Sequence, residues 1–413
     1  MFRLTSFICL VMKRFVMKRL VEAKFFIWFS VFLSCFVIKT ALASEPVYIG
    51  FDGAYSPKTS TSAQAIELGT QLAISQINGA GGVLNGRPLV LVTKDNRGMV
   101  ARAKDNFIEF AQRPDLVAIY GGKLSPVIIQ TMGLSNKLSM LSISVWGSAD
   151  PITENPSDYP VVYRLALRDK WAIPAMMQHA KARYGAERLC EVMPQTTLSR
   201  LDDRALAIYL ERLGQTVTYT RSYNWGETGF AEVIKSCVRS GGQAVILIAN
   251  EQEGAQWIKA MAALPSDQRV PTISHWGVTG SNLHEMVGTA FNQIDFDVIQ
   301  TFSFINNKRP QAEALAREIL ADIRFSTVES IINPAAIAQA FDMTHLIAMA
   351  INEAGSTNRV AIQKAMQSIG TYEGVIRTYT KPFSDTNHDA LTAAQVLFVR
   401  LQPDGALFPI SMK

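Results

Sequence analysis

Short apolar runs alternate with longer stretches of helical spacing along this chain, and this alternation constrains its fold most strongly. The first four runs are VYIGFD, LVLVTKD, VAIYGG and MLSISVWG. Buried parallel strands typically have such continuous Val- and Ile-rich sequences. Between the first two runs, apolar and small residues recur at steps of three and four, which marks one face of a helix: Ile66, Gly69, Ala73 and Ile77. The pattern predicts an α/β fold, with a doubly wound sheet covered by helices on both faces.

The same alternation begins again after residues 159–166 (YPVVYRLA). The new strands are RLCEVM, TVTYTRSY, AVILIAN and TISHW, separated by helical stretches such as 201–214 and 230–240. A length of 413 residues also favours two domains of comparable size. We therefore expect two doubly wound, Rossmann-like lobes, the first formed by residues 44–164 and the second by residues 165–298.

The last third of the chain adds elements to both lobes. It contains the strand DVIQTFSF, three helical stretches between residues 310 and 370, and the runs YEGVIRTYT and AAQVLFVRLQ. A separate third domain would be small for this content. We expect residues from about 299 to 380 to complete the first lobe and residues from about 381 to 413 to complete the second. The chain then crosses between the lobes more than once, and a ligand site is expected in the cleft between them.

Residues 1–43 have the pattern of an export signal. Five basic residues between 13 and 24 precede an uncharged run, 25–38, and Ala41-Leu42-Ala43 follows. As a helix, the run spans about 21 Å, short of a hydrocarbon core of roughly 30 Å. We predict a removed signal peptide and a periplasmic mature protein. The alternatives are a retained anchor or a lipoprotein site at Cys35, although Phe32-Leu33-Ser34-Cys35 is a poor lipobox. No later run approaches spanning length, so the mature chain is expected to be soluble.

Charge gives no reason to expect a nucleic-acid partner. The chain has 40 Lys and Arg against 35 Asp and Glu, and residues 1–43 hold seven of the basic residues and one acid, Glu22. Subtraction leaves 33 basic and 34 acidic residues, so the remainder is close to neutral.

Two cysteines, Cys190 and Cys237, remain after the predicted signal. An even pair in an exported protein favours a disulfide. Bonding requires the predicted helix that carries Cys237 to pack over the predicted strand that carries Cys190. Two buried free thiols are the alternative.

Five segments, in order, resemble the branched-chain amino-acid binding family of type I periplasmic binding proteins over nearly the whole mature chain. The segments are 72–88 leading into LVLVTKDN, then VAIYGGKLSPV, YPVVYRLALRD, 340–342 continuing to 351–356, and 372–375 with the later turn 383–385. The resemblance implies three crossings between the lobes, a multi-strand hinge at these crossings, and closure of the lobes around a small solute. It also implies delivery of that solute to the permease of an ABC importer.

The resemblance also implies where a ligand carboxylate is held. The family's serine at the start of a helix matches Ser125, and the next loop matches Trp146, Gly147 and Ser148. Ser125 precedes Pro126, so we expect Ser125 to be the N-cap residue of a helix whose positive end favours an anion. The alternatives are that Ser125 only caps its helix and that Ser148 only belongs to a turn.

Departures from the family pattern bear on the ligand. The family's acidic partner for a ligand ammonium falls on Trp276, and its cleft tyrosines fall on Leu198 and Asn250. Glu251 or Glu253 would supply an acid if the alignment shifts by a residue or more. The family pattern therefore predicts the loss of the ammonium partner, which a buried cation needs.

Aromatic residues replace that partner in the predicted cleft. We hypothesise that Trp146 and Trp276, with Tyr55, sandwich a flat or apolar ligand, the alternative being ordinary packing. The ligand is then a small carboxylate with an apolar or aromatic body. We expect a monomer without a cofactor or metal and without enzymatic activity, since the scattered histidines lack metal-ligand spacing and no nucleophile–base motif is present. A ligand-sensing subunit of a signalling system is the alternative function.

Overall fold

The computed structural model describes residues 45–56, 60–195 and 203–411, with side chains from residue 206 onward in the last range. The predicted signal peptide lies outside these ranges. A first sheet contains five parallel strands in the order β2-β1-β3-β4-β5. They are β1 (Val47–Gly53), β2 (Leu89–Asp95), β3 (Leu116–Tyr120), β4 (Leu141–Ser144) and β5 (Val162–Arg164).

A second sheet repeats this strand order and adds two antiparallel strands, giving β14-β13-β10-β9-β8-β6-β7. Its parallel strands are β6 (Arg188–Pro194), β7 (Thr216–Tyr223), β8 (Ala244–Leu247), β9 (Thr272–Ser274) and β10 (Phe296–Gln300). The antiparallel pair is β13 (Leu397–Leu401) and β14 (Leu407–Pro409). A separate hairpin joins β11 (Thr371–Glu373) and β12 (Thr378–Thr380). The prediction of two doubly wound lobes is confirmed.

Helices follow most of the parallel strands. In the first half they are α1 (Thr61–Gly79), α2 (Val100–Ala111), α3 (Ser125–Lys137) and α4 (Asp169–Tyr184). The next four are α5 (Asp203–Leu213), α6 (Ala231–Arg239), α7 (Glu251–Ala262) and α8 (Leu283–Val287). The last three are α9 (Pro310–Ile319), α10 (Pro334–Ala354) and α11 (Arg359–Met366).

The chain passes between the two sheets three times: after β5, after β10 and after the β11–β12 hairpin. Strand β10 stays in the second sheet as far as Gln300, slightly beyond the predicted crossing at 298/299. After it, α9 and α10 return to the first lobe, where Gln76 donates a hydrogen bond to Glu318 at 2.6 Å. Both lobes therefore contain segments distant in sequence, helices α9 and α10 in the first and strands β13 and β14 in the second, and several chain crossings connect them.

Helix α10 packs directly on α1 in the first lobe. The predicted apolar face of α1 is buried there, and a Cβ at Gly69 would lie 2.2 Å from the carbonyl oxygen of Ile337. Glycine is thus required at position 69, because the two helix backbones approach too closely for any side chain.

Helix α10 also corrects one sequence expectation. With 21 residues and a mean hydropathy of 1.2, it is long and apolar enough to span a membrane by length and composition, and it is the one such helix among the residues described. The apolar window is 89% buried within the protein. Burial in the protein core explains its hydrophobicity. This helix was overlooked in the sequence because only continuous apolar runs were considered.

Cys190 on β6 and Cys237 on α6 are joined by a disulfide, with 5.9 Å between their Cα atoms. Both side chains are fully buried. Helix α6 therefore packs over strand β6, as the pairing requires.

Candidate functional site

A cavity of about 490 Å³ lies between the lobes, at the carboxyl ends of both sets of parallel strands. The first lobe contributes residues 123–127 after β3 and 146–149 after β4. The second lobe contributes residues 248–253 after β8, together with residues that follow β7 and β9. In each sheet the strand order reverses at the first strand of the lobe, and loops diverge there to leave a crevice. The topology thus creates the site.

Ser125 lines the cavity, but it does not cap its helix. Helix α3 begins at Ser125, the N-cap position is occupied by Leu124, and no side-chain capping bond is formed. The expected N-cap role is therefore wrong by one position, because Pro126 occupies the second position of the helix. The Ser125 Oγ instead accepts a hydrogen bond from the Ala149 N–H at 3.3 Å. Since this bond uses an oxygen lone pair, the hydroxyl proton remains available to a ligand oxygen.

The loop 146–149 faces Ser125, and Trp146, Gly147 and Ser148 all line the cavity. The Arg164 guanidinium holds this loop from behind, donating to the carbonyl oxygens of Ser148 at 3.0 Å and Ala149 at 2.9 Å. Among the described residues, the Ser148 N–H donates no hydrogen bond. This N–H is therefore a donor near Ser125 that no described group of the protein uses.

The structure does not form the predicted sandwich of Trp146 and Trp276. Trp276 is 5% exposed and does not line the cavity, because its Nε1 donates to the Trp146 carbonyl oxygen at 3.2 Å and its ring packs 3.7 Å from that of His275. Trp276 thus forms a hydrogen bond between the lobes, and of these two tryptophans only Trp146 lines the cavity.

Three other sequence-predicted residues have different outcomes. Tyr55 is outside the lining, since its hydroxyl donates to Glu67 at 2.7 Å and its ring packs edge-on against Phe51. Asn250 lines the cavity from the N-cap position of α7. Leu198 lies outside the described residues.

Trp225 lines the cavity and was missed by the sequence reasoning. It follows β7, packs edge-on against Tyr223 with ring centroids 5.8 Å apart, and is 43% exposed. Its position two residues after the run TVTYTRSY was the available signal, because residues that follow parallel strands lie at the ligand edge of the sheet.

Charged side chains in the cavity are largely provided with partners by the protein itself. The Lys123 Nζ lies 2.7 Å from Glu251 Oε1. This ion pair connects the two lobes across the cleft. Glu253 accepts a hydrogen bond from the Gly226 N–H at 2.8 Å and stands in the first turn of α7, where the helix dipole favours a carboxylate. Within the described part of the chain, Lys123 is the only Lys or Arg that lines the cavity. No group of three or more potential metal ligands occurs in that part either.

Comparison with known families agrees with this architecture. The family model described as periplasmic binding protein matches residues 46–406. The chain belongs to this family. A search of curated proteins found no match.

Solved structures of type I periplasmic binding proteins share the fold. A periplasmic binding protein type 1 from Bordetella pertussis Tohama I is 21% identical, with a TM-score of 0.77 over 89% of this chain and 100% of that chain. The branched-chain amino acid transporter substrate-binding protein LivJ from Streptococcus pneumoniae, in complex with isoleucine, is 18% identical, with a TM-score of 0.71 over 89% and 99%. A solute-binding protein of an ABC transporter from R. palustris, in complex with benzoate, is 15% identical, with a TM-score of 0.70 over 89% and 96%. At these identities the likeness concerns the fold, and the ligand has to be argued from the cavity.

Proposed function

We propose that this periplasmic binding protein captures a small monocarboxylate with an apolar or aromatic body and delivers it to the permease of an ABC importer. The observation that carries the proposal is the composition of the cavity. Neutral hydrogen-bond donors meet at one edge, apolar side chains form most of the remaining wall, and the charged side chains already have partners within the protein.

The donor edge suits a carboxylate. The Ser125 hydroxyl and the Ser148 N–H lie on facing loops that are linked by the bond from Ala149 to Ser125. Ser125 is also the first residue of α3, so a carboxylate there meets the positive end of a helix of 13 residues. Donors that are held in place before binding lose little conformational freedom when the ligand arrives.

The other side chains that line the cavity suit an apolar body. They include Val100, Val127 and Ile248, with the rings of Trp146 and Trp225. A volume of about 490 Å³ falls within the range of roughly 300–1,000 Å³ that is typical of small-molecule sites. Trp225 keeps part of its ring exposed at the cavity, so its face is available to an aromatic or aliphatic group.

A ligand ammonium group would find little stabilisation in the cavity, because both carboxylates there already have partners. Glu251 is engaged by Lys123, and Glu253 is stabilised by the Gly226 N–H and the start of α7. Trp276, which stands where the family pattern places an acid, is turned away from the cavity. A buried ammonium without a partner costs several kcal/mol. The arrangement therefore favours the class of ligand seen in the benzoate complex over the amino acid seen in the isoleucine complex.

A thermal-shift screen tests the proposal. The panel contains benzoate, substituted benzoates and branched aliphatic carboxylates, with leucine, isoleucine and phenylalanine as zwitterionic counterparts. Carboxylates without an amino group should raise the melting temperature, and their amides should not. A rise confined to the zwitterionic amino acids would refute the proposal.

Export and the monomeric state belong to the same proposal. Family membership implies an extracytoplasmic location, and we propose that the mature protein begins at Ser44 and acts as a monomer in the periplasm. Mass spectrometry of the protein released from the periplasm measures the start, and light scattering measures the oligomeric state. A mass that includes residues 1–43, or a dimer at micromolar concentration, would contradict this part of the proposal.

A further inference from the structure

One ion pair inside the cavity has no role in the account above. Lys123 belongs to the first lobe, between β3 and α3, and Glu251 is the first residue of α7 in the second lobe. Their charged atoms are 2.7 Å apart, and the side chains are only 12% and 14% exposed. Both residues line the ligand cavity. The pair therefore affects the charge that a ligand meets.

The pair is poorly built for stability alone. Glu251 Oε2 is buried and accepts no hydrogen bond among the described residues. Gly280 packs against the pair, since a Cβ there would lie 3.0 Å from Glu251 Oε2 and 3.4 Å from Lys123 Nζ. A buried ion pair must have further hydrogen bonds to offset the desolvation of both charges, and one oxygen of this pair lacks them. A role in ligand selection accounts for a pair that stability does not require.

We propose that Glu251 is a specificity-determining residue that restricts the ligand to one carboxylate by neutralising Lys123. Lys123 is the cavity cation identified above, two residues before Ser125, and it would otherwise form a second anion site beside the first. With Glu251 bound to it, a second ligand carboxylate meets no free cation and faces the carboxylates of Glu251 and Glu253. This inference rests on the proposed function, because it concerns the charge of the ligand in the same cavity.

Glu251→Gln removes the charge while keeping the size of the side chain. Lys123 is then a nearly buried ammonium without an acid, and an anion from solution becomes its best partner. A dicarboxylate should gain affinity, whereas a monocarboxylate, already held by Ser125 and Ser148, should change little.

The experiment compares benzoate with the three benzenedicarboxylates by isothermal titration calorimetry. All three isomers are used so that the spacing of the two carboxylates is not assumed. We expect Glu251→Gln to raise the affinity of at least one isomer, relative to benzoate, by about tenfold, which corresponds to about 1.4 kcal/mol. Glu253→Gln is the matched control, because it removes an equal charge from the same helix and cavity but not from Lys123. It should produce no such gain.

A second variant separates the cation site from a change in folding. Adding Lys123→Met to Glu251→Gln should abolish the gain of the dicarboxylate relative to benzoate, because the cation that binds the second carboxylate is then absent. The inference is overturned if no isomer gains affinity or if Glu253→Gln gives the same gain. It is also overturned if Glu251→Gln weakens the binding of benzoate and of the dicarboxylates equally, because the ion pair would then only hold the lobes together. Failure of the wild-type protein to bind any monocarboxylate would instead refute the proposed function. The inference would then be judged on whether Glu251→Gln alone binds a dicarboxylate.

Discussion

Replacing Arg164 by methionine should destabilise the protein strongly, because this arginine connects the loop 146–149 to a crossing between the lobes. Its side chain is fully buried. The guanidinium donates to Asp389 Oδ1 at 2.7 Å, to the carbonyl oxygens of Ser148 and Ala149, and to Thr153. Asp389 lies on the third crossing between the lobes, so a single side chain holds both the loop and the crossing.

The expected loss of unfolding free energy follows from the largely buried carboxylate of Asp389, which the substitution leaves without its Arg164 partner. Removing one partner of a buried ion pair costs about 3–5 kcal/mol, since the remaining charge is buried without compensation. Arg168 still contacts Asp389 Oδ2 at 3.3 Å and partly compensates it. We therefore expect the lower end of that range, about 3 kcal/mol of unfolding free energy.

Equilibrium urea unfolding followed by far-UV circular dichroism measures this loss. Arg164→Lys keeps the charge but not the geometry for several acceptors, so it should fall between methionine and the wild type. Arg324→Met is the matched control, since that arginine forms a 2.7 Å ion pair with Asp322 while remaining 61% exposed. It should unfold close to the wild-type midpoint. Equal midpoints for Arg164→Met and the wild type would refute the reasoning.

Three further predictions concern the ligand, pH and the disulfide. Ser125→Ala should weaken carboxylate binding about tenfold, with an unfolding midpoint near that of the wild type; unchanged affinity in calorimetry would exclude a ligand contact. Burial raises the pKa of Asp342 to about 6 and lowers the pKa of His345 to about 4. Between about pH 4 and 6, Asp342 therefore makes stability fall as pH rises and His345 makes it rise. Between these pH values, the unfolding free energy of His345→Gln should fall as pH rises, and that of Asp342→Asn should rise. If the unfolding free energy of both variants changed with pH in parallel with the wild type, the prediction would be contradicted. Replacing Cys190 and Cys237 by alanine removes a link between residues 47 apart and should lower the unfolding free energy by about 4 kcal/mol; an unchanged urea midpoint would contradict the loop-closure argument.

Much of the fold could be predicted from the sequence, because inner parallel strands such as β3, β4, β8 and β10 are buried on both faces and therefore appear as apolar runs. The repeated strand order in the two sheets follows from the same alternation. Boundaries at the crossings are less visible, since β10 continues to Gln300 without a change in composition that marks its end.

The site was only partly predictable. Ser125 and the loop 146–149 could be located through the family resemblance, but the side-chain directions could not. Trp276 follows a strand as well, yet its ring donates a hydrogen bond to the other lobe and does not line the cavity. The pair of Lys123 and Glu251 joins residues 128 positions apart, and only the arrangement of the two lobes brings them together.

Calorimetric titration of the purified protein with benzoate and with isoleucine tests the central claim most directly. The account predicts that benzoate, or the carboxylate selected by the thermal-shift screen, binds at one site per chain, while isoleucine binds far more weakly. Tight binding of isoleucine, with no binding of any carboxylate that lacks an amino group, would contradict it.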